Sequence, residues 1–143
     1  MSAPKLLAVA GTFYRDIADA LIKSAQEAAG AAGAEIDVVE VPGALEIPGA
    51  IVQAEIAEAD YDGYVALGCV IRGETTHYDY VCTESARGLM ELNLSGVIAG
   101  NGILTVENRA QALKRAVDKK KGADAANAAL SLIALRDRFG STQ

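Results

Sequence analysis

Residues 63–94 constrain the fold of this chain more than any other segment. The segment begins with a run that is apolar on both faces, residues 64–70, which is typical of a strand in a parallel sheet covered by helices on each side. A polar loop follows over residues 72–76, and the pattern then predicts an amphipathic helix that starts near His77. A buried strand, a loop and a helix in this order favour an α/β fold.

The loop before that helix has the composition of an anion-binding site. It contains Gly73, Thr75 and Thr76, and it ends at His77, which is the only histidine of the chain. Ligands of open α/β sheets bind at the carboxyl ends of strands, and the amides at the start of a helix attract anions. The segment therefore predicts a phosphate-sized anion site beside a titratable imidazole, although the sequence has no Walker or G-x-G-x-x-G pattern.

The rest of the chain repeats the alternation of strand and helix. Further strands are predicted over residues 6–10, over residues 35–41 and from residue 97 towards residue 104. Further helices are predicted from an N-cap at Asp16 to about Ala32, from Pro48 to about Ala59, after Asn108, and from Gly122 to about Arg138. This order indicates βαβ units with right-handed crossovers, and so a four-stranded parallel sheet with helices on both faces in a single domain over residues 1–143.

The overall charge and the cysteines limit the class of protein. The formal net charge of the 143 residues is −6, which argues against a broad nucleic-acid interface because such an interface needs a basic face. Neither a signal sequence nor a membrane-spanning segment is predicted, so we expect a cytoplasmic protein. Cys69 and Cys82 lack Cys-x-x-Cys spacing, and we expect free thiols and no zinc site.

Side chains with useful chemistry follow each predicted strand. In chain order they are Phe13, then Glu46, then Arg72, Thr75, Thr76 and His77, and finally Asn101 and Thr105. The carboxyl ends of parallel strands share one edge of a sheet, so we expect these side chains to converge there.

Five of these residues also have a purely structural interpretation. Phe13 is compatible with a place in the core, Thr75 and Thr76 with N-caps, and Glu46 with a first-turn position favoured by the helix dipole. A lone histidine at a helix start often only caps or packs. Arg115, which falls on a predicted helix, is compatible with a surface role.

Three segments together resemble the lumazine synthase family: VPGALEIP (residues 41–48), GCVIRGETTHYDYV (residues 68–81) and GILTVENRAQALKRA (residues 102–116). The similarity extends from about Leu6 to Phe139. It implies a flavodoxin-like three-layer α/β sandwich that forms pentamers with active sites between adjacent subunits. The implied reaction belongs to riboflavin biosynthesis and needs no cofactor or metal. It joins 5-amino-6-(D-ribitylamino)uracil to 3,4-dihydroxy-2-butanone 4-phosphate and yields 6,7-dimethyl-8-ribityllumazine.

The resemblance also implies a role for individual residues. His77 matches the catalytic proton donor and acceptor, and Thr75 with the amide of Glu74 matches the phosphate-binding loop. Arg115 matches an arginine that reaches this phosphate from the neighbouring subunit, and Phe13 a ring that stacks on the pyrimidine. The remaining matches are Ala44, Leu45 and Glu46 along the ribityl chain, Cys69, Val70 and Ile71 along the pyrimidine, Asn101 beside the heterocycle, and Lys119 or Lys121 near the ribityl group.

The chain departs from the usual family pattern at several positions. Tyr14 replaces a small amide, Leu45 stands where an aromatic residue is common, and Asn101 stands in place of a phenylalanine. We therefore expect weaker substrate binding with an intact chemical step. The short segment after Arg115 and the short N-terminus favour a pentamer or a pair of pentamers over a closed shell.

Two other functions are compatible with the same pattern. A non-catalytic relative that binds flavin or lumazine would need neither His77 nor Arg115. A signalling or redox domain with a flavodoxin-like fold is the second alternative, because fold alone does not determine function. The sequence has no aspartate immediately after a predicted strand, which disfavours a phosphoacceptor domain.

Overall fold

The computed structural model describes residues 3–140 and shows strands that alternate with helices. The strands are β1 (Lys5–Gly11), β2 (Glu35–Val41), β3 (Gly63–Ile71) and β4 (Ala99–Val106). The helices are α1 (Arg15–Ala31), α2 (Ile47–Ile56), α3 (His77–Leu94), α4 (Arg109–Leu113) and α5 (Lys121–Gly140). A 3-10 turn, Ala44–Glu46, precedes α2, and a π-helical turn, Lys114–Asp118, extends α4.

The four strands form one parallel sheet in the order β2-β1-β3-β4. The register pairs Gly11 with Val41, Ala10 with Leu67 and Ile71 with Val106, so all four carboxyl ends lie at one edge, where β3 and β4 extend beyond β1 and β2. Each strand in the described sheet connects to the next through a helix, because parallel neighbours cannot be joined by a tight hairpin. The predicted four-stranded α/β fold of the flavodoxin type is confirmed.

Successive side chains of the central strands point to opposite faces of the sheet, and each face has its own apolar cluster. On one face, Ala8, Val65 and Leu67 are buried against side chains of α1, α4 and α5. On the other face, Val9 and Ala66 are buried against α2 and α3. Burial on both faces explains why β1 and β3 are almost continuously apolar in sequence.

A close backbone approach at the carboxyl edge sets the position of two loops. A β-carbon added at Gly11 would lie 2.9 Å from the carbonyl carbon of Gly43, closer than real side chains come. The amide of Thr12 donates to the carbonyl of Val41 at 3.0 Å. Glycine at position 11 therefore lets the loop after β1 lie directly beside the loop after β2.

Some predicted element boundaries were wrong. Helix α1 begins at Arg15 with Tyr14 at the N-cap position, and Asp16 lies inside the first turn, where its carboxylate pairs with Arg109. Helix α2 ends at Ile56 rather than near Ala59, since Glu58 adopts a positive φ of 53° that a helix cannot continue.

Further differences include the start of β4 and both ends of α5. Strand β4 begins at Ala99, two residues after the predicted start. Helix α5 begins at Lys121 and continues to Gly140, past the predicted end at Arg138.

Candidate active site

A cavity of about 490 Å³ opens at the carboxyl edge of the sheet. It lies among the loop after β1, the turn after β2, the end of β3 and the start of α3. Its lining residues are Phe13, Tyr14, Pro42, Gly43, Ala44, Leu45, Glu46, Cys69, Val70, Ile71, Gly73, Thr75, His77, Tyr78 and Val81. The convergence expected from a parallel sheet is therefore present for the first three strands.

Phe13 forms an exposed aromatic wall of the cavity. Its side chain is 76% exposed, so it does not belong to the core. Its ring meets the ring of Tyr14 edge-on, with centroids 4.9 Å apart and an interplanar angle of 83°. The face of Phe13 is thus open for another flat ring to stack on it.

The histidine and residues of the predicted anion loop also line the cavity. His77 is the first residue of α3, and its side chain is exposed and lines the cavity. The backbone amide of His77 donates to Oγ1 of Thr75 at 3.3 Å, whereas Thr76, at the N-cap position, makes no capping bond with its side chain. Thr75 therefore shapes the turn and lines the cavity at once.

The turn after β2 provides a polar and an apolar side chain. Ala44 is buried, while Leu45 and Glu46 are exposed and line the cavity. Glu46 stands at the N-cap position of α2 without a capping bond from its side chain. Its carboxylate is thus placed both near the positive end of a helix and at the cavity.

The end of β3 forms the floor of the cavity through Cys69, Val70 and Ile71. Burial raises the pKa of the Cys69 thiol to about 11, and the nearby charge of Arg109 opposes this shift only in part. The thiol is therefore neutral near pH 7 and adds to the apolar floor. Cys69 and Cys82 are both free, as predicted.

Several predicted site residues lie outside this cavity within the subunit. Asn101 pairs in register with Ala66, well before the carboxyl end of β4, and its Oδ1 accepts from the amide of Ile103 at 2.9 Å. Thr105 and the side chain of Glu74 are exposed and are not among the lining residues.

The cationic candidates also lie away from the cavity. Arg115 is on the π-helical turn, where its Nη1 donates to the carbonyl of Gln111 at 3.2 Å. Lys119 is exposed, and Lys121 pairs with Asp124 at 3.4 Å.

Sequence reasoning missed two residues of α3 that line the cavity, Tyr78 and Val81. The available signal was helical spacing, because residues four apart share a face and Val81 follows His77 by four. Desolvation raises the pKa of the Tyr78 hydroxyl, and a hydrogen bond with Cys82 adds to this shift. Tyr78 therefore presents a neutral aromatic ring next to His77.

Residues 3–140 were also compared with the requirements of a membrane span and of a metal site. Within residues 3–140, no helix combines the length and the apolar character that a membrane span requires. Across the same residues, histidine, cysteine and acidic side chains form no group of three suited to a metal ion.

The fold and the cavity define an α/β protein with a small-molecule site at the carboxyl edge of a parallel sheet. Residues 3–137 match the profile of the 6,7-dimethyl-8-ribityllumazine synthase family. A 6,7-dimethyl-8-ribityllumazine synthase of Novosphingobium aromaticivorans is 58% identical over 137 residues, which cover 94% of this chain and 98% of the relative.

Two further relatives agree with this match. A 6,7-dimethyl-8-ribityllumazine synthase of Bartonella tribocorum is 54% identical, with 98% and 95% of the two chains covered. A protein of Rhizobium meliloti named 6,7-dimethyl-8-ribityllumazine synthase 1 is also 54% identical, with 95% and 94% covered. The chain belongs to the 6,7-dimethyl-8-ribityllumazine synthase family, and the resemblance of its signature segments is confirmed.

Proposed function

We propose that this chain is a transferase that condenses 5-amino-6-(D-ribitylamino)uracil with 3,4-dihydroxy-2-butanone 4-phosphate. The product is 6,7-dimethyl-8-ribityllumazine, and the reaction is the penultimate step of riboflavin biosynthesis. Membership of the family supports this reaction. The observation that carries it is the placement of His77, Thr75 and Phe13 around one cavity.

The flat ring of the pyrimidine substrate fits the apolar part of the cavity. In this proposal it stacks on Phe13 above the floor of Cys69, Val70 and Ile71. The open face of Phe13 and the neutral thiol of Cys69 support this placement. The ribityl chain then extends along the turn of Ala44, Leu45 and Glu46, where a carboxylate can accept hydrogen bonds from hydroxyl groups.

The phosphate of the second substrate belongs at the start of α3. Backbone amides at a helix N-terminus attract anions, and the turn that contains Glu74 and Thr75 exposes such amides beside the cavity. A phosphate held there places the ketone of the same molecule between His77 and the pyrimidine amine.

His77 then transfers protons between successive steps. The pyrimidine amine attacks the ketone and loses water to form an imine, phosphate leaves, and the ribitylamino nitrogen closes the second ring with loss of water. Each step moves a proton to or from nitrogen, carbon or oxygen, and an imidazole can donate and accept near neutral pH.

The active site is completed by an adjacent subunit in this proposal. Arg115 lies outside the cavity of its own subunit, and we place its guanidinium against the phosphate bound by a neighbour. Asn101, exposed on the edge strand β4, is likewise assigned to a neighbour's heterocycle. The assembly is a homopentamer or a pair of pentamers in the cytoplasm, with small molecules as its substrates.

The test is the absorbance of the lumazine product when the purified protein is mixed with both substrates. The wild-type chain should form product faster than the spontaneous condensation. His77→Gln, which keeps a polar side chain but cannot shuttle protons, should lower kcat by about tenfold or more. Arg115→Ala should raise KM for the phosphate substrate, whereas the neighbouring variant Lys114→Ala should behave as wild type.

The opposite result would identify a binding protein. A folded chain that leaves the spontaneous rate unchanged, yet binds riboflavin or lumazine tightly, would overturn the enzymatic proposal. A His77→Gln variant with full kcat would remove the proton-transfer role alone.

A further inference from the structure

Arg72 lies just after β3, beside the cavity but outside its lining, and makes an unusual set of contacts. Its Nε donates to the carboxylate of Glu107 at 2.5 Å, and its Nη1 lies 3.6 Å from the carboxylate of Asp79. Its guanidinium carbon lies 4.3 Å from the centre of the Tyr78 ring. The Arg72 amide donates to the carbonyl of Val106 at 3.0 Å.

These contacts join three separate elements at the edge of the site. Tyr78 and Asp79 belong to the first turn of α3, directly after His77. Glu107 belongs to the loop between β4 and α4, and its amide donates to Oε1 of Gln111 at 2.8 Å. Arg72 therefore connects the end of β3 to the helix that carries the histidine and to the loop that leads to α4.

The network is too exposed for its main effect to be stability. The side chains of Arg72, Asp79 and Glu107 are 45%, 62% and 56% exposed. Exposed ion pairs contribute only about 0–1 kcal/mol. Its geometry is more informative, because a planar guanidinium that stacks on a ring while its nitrogens meet two carboxylates has little rotational freedom.

We propose that Arg72 is a positioning residue that holds the first turn of α3 so that Tyr78 and His77 face the cavity. This inference rests on the proposed function, since it concerns the histidine assigned to proton transfer. Arg72 acts through Tyr78, whose ring contacts the guanidinium and also lines the cavity. Nε and Nη1 of Arg72 face the carboxylates of Glu107 and Asp79, so Arg72 is assigned a role distinct from that of Arg115, the cation assigned to the phosphate.

The first part of the test is kinetic. Arg72→Ala should lower kcat about tenfold, because small misplacements of reacting groups are costly. Arg72→Lys should not restore kcat, since an ammonium group cannot stack and bind two carboxylates as the planar fork does. Glu107→Ala should have an effect of the same kind, and the double variant should be no worse than Arg72→Ala, because the residues act as one unit.

Arg87 provides a matched control on the same helix. It also pairs with two carboxylates, those of Glu84 and Glu91, but both partners lie on α3 itself and neither lines the cavity, whereas Arg72 contacts the lining residue Tyr78. Arg87→Ala should therefore keep kcat and KM within about twofold of wild type, the range expected for a surface substitution without a positioning role.

The second part of the test does not depend on activity. The chain has one histidine, so its proton NMR spectrum contains a single imidazole Cε1–H signal. Arg72→Ala should shift or broaden that signal, whereas Arg87→Ala should leave it in place.

Two results would overturn the inference. One is an Arg72→Ala variant with kcat within twofold of wild type and an unmoved histidine signal. The other is a rise in KM for the phosphate substrate alone at unchanged kcat, which would make Arg72 a phosphate ligand. If the wild-type chain itself were inactive, the proposed function would fail, while the histidine signal would still decide the positioning role.

Discussion

Leu45 is a cavity residue at which the resemblance described above implies a departure from the family pattern. Its side chain is 45% exposed at the cavity wall, where an aromatic residue is common in the family. Leu45→Phe should lower KM for the ribitylaminouracil substrate by about two- to tenfold, the equivalent of one aromatic contact of about 0.5–1.5 kcal/mol, at unchanged kcat. Steady-state kinetics with the lumazine absorbance would measure this.

A matched control for that change is Leu132→Phe. Leu132 is 40% exposed on α5 and is not a cavity residue, so its substitution should leave KM unchanged. An unaltered KM in Leu45→Phe would show that this wall does not contact the substrate ring.

Cys69 should be an unreactive thiol despite its position at the cavity. Its pKa is raised from 9.0 to about 11, so at pH 8 its thiolate fraction is on the order of a hundredfold below that of an unperturbed thiol. In a Cys82→Ala background, alkylation by iodoacetamide followed by mass spectrometry should be correspondingly slow, and fast after unfolding in urea. Equal rates in both states would contradict the raised pKa.

The same thiol affects stability at alkaline pH. Its folded-state pKa is raised above the unfolded value, so its contribution is fully present below about pH 9 and is lost as the pH rises through about 11. Cys69→Ala in the same background should reduce that decline.

At the scale of residues, the sequence correctly predicted which side chains meet at the cavity when their position follows from the end of a strand. Phe13, Glu46 and His77 follow three parallel strands whose carboxyl ends lie at one edge of the sheet, so their convergence follows from topology. Asn101 failed to join them because β4 continues five residues beyond it, to Val106. The predicted strand, from residue 97 towards residue 104, already contained Asn101, so the expectation that this side chain follows the strand end did not agree with the predicted strand itself.

At the scale of elements, α4 depends on an unusual amount of side-chain capping. Oδ1 of Asn108 accepts from the amide of Gln111 at 2.9 Å, and Oε1 of Gln111 accepts from the amide of Glu107 at 2.8 Å. This reciprocal pair resembles a capping box. It stabilises a helix of only five residues that leads directly into the turn of Arg115.

Asn108→Ala should therefore destabilise the fold by about 0.5–2 kcal/mol and raise KM for the phosphate substrate. Urea unfolding and steady-state kinetics would measure the two effects. Asn127→Ala, at an exposed position inside α5, is the control and should be neutral or slightly stabilising because alanine is the better helix former. Loss of stability without any kinetic change would argue that α4 does not position Arg115.

The boundaries of elements were less predictable than their order. Tyr14 rather than Asp16 takes the N-cap position of α1, because the carboxylate of Asp16 pairs with Arg109, a partner far away in sequence. The π-helical turn at Lys114–Asp118 has no local sequence signal either. Both features depend on tertiary contacts, which a pattern of apolar spacing does not contain.

At the scale of the whole molecule, α2 and α3 expose large apolar side chains. Ile56, Met90 and Leu94 are 71%, 58% and 80% exposed, and Met90 and Leu94 share a face of α3 because they are four residues apart. We expect the proposed assembly to cover them. Light scattering after gel filtration should give about five or about ten times the 14.8 kDa chain mass. A monomer or a shell-sized particle would rule out the proposed assembly.

The proposal that active sites are shared between subunits leads to a second whole-molecule prediction. If His77 and Arg115 serve the same site from different subunits, two impaired variants should complement each other in mixed assemblies. Co-refolding equal amounts of His77→Gln and Arg115→Ala should return about a quarter of the wild-type sites, the fraction that random cyclic assembly gives. Separately refolded and then mixed pentamers provide the baseline, and equal activity in both samples would show that each subunit works alone.

The tyrosines described at the cavity have a practical consequence. The chain contains no tryptophan and five tyrosines, so its ultraviolet emission comes from tyrosine alone. Tyr14 and Tyr78 both line the cavity, close to any chromophore bound there. A fused heterocycle that absorbs where tyrosine emits would quench these two rings, so the unlabelled protein reports the occupancy of its own site by fluorescence.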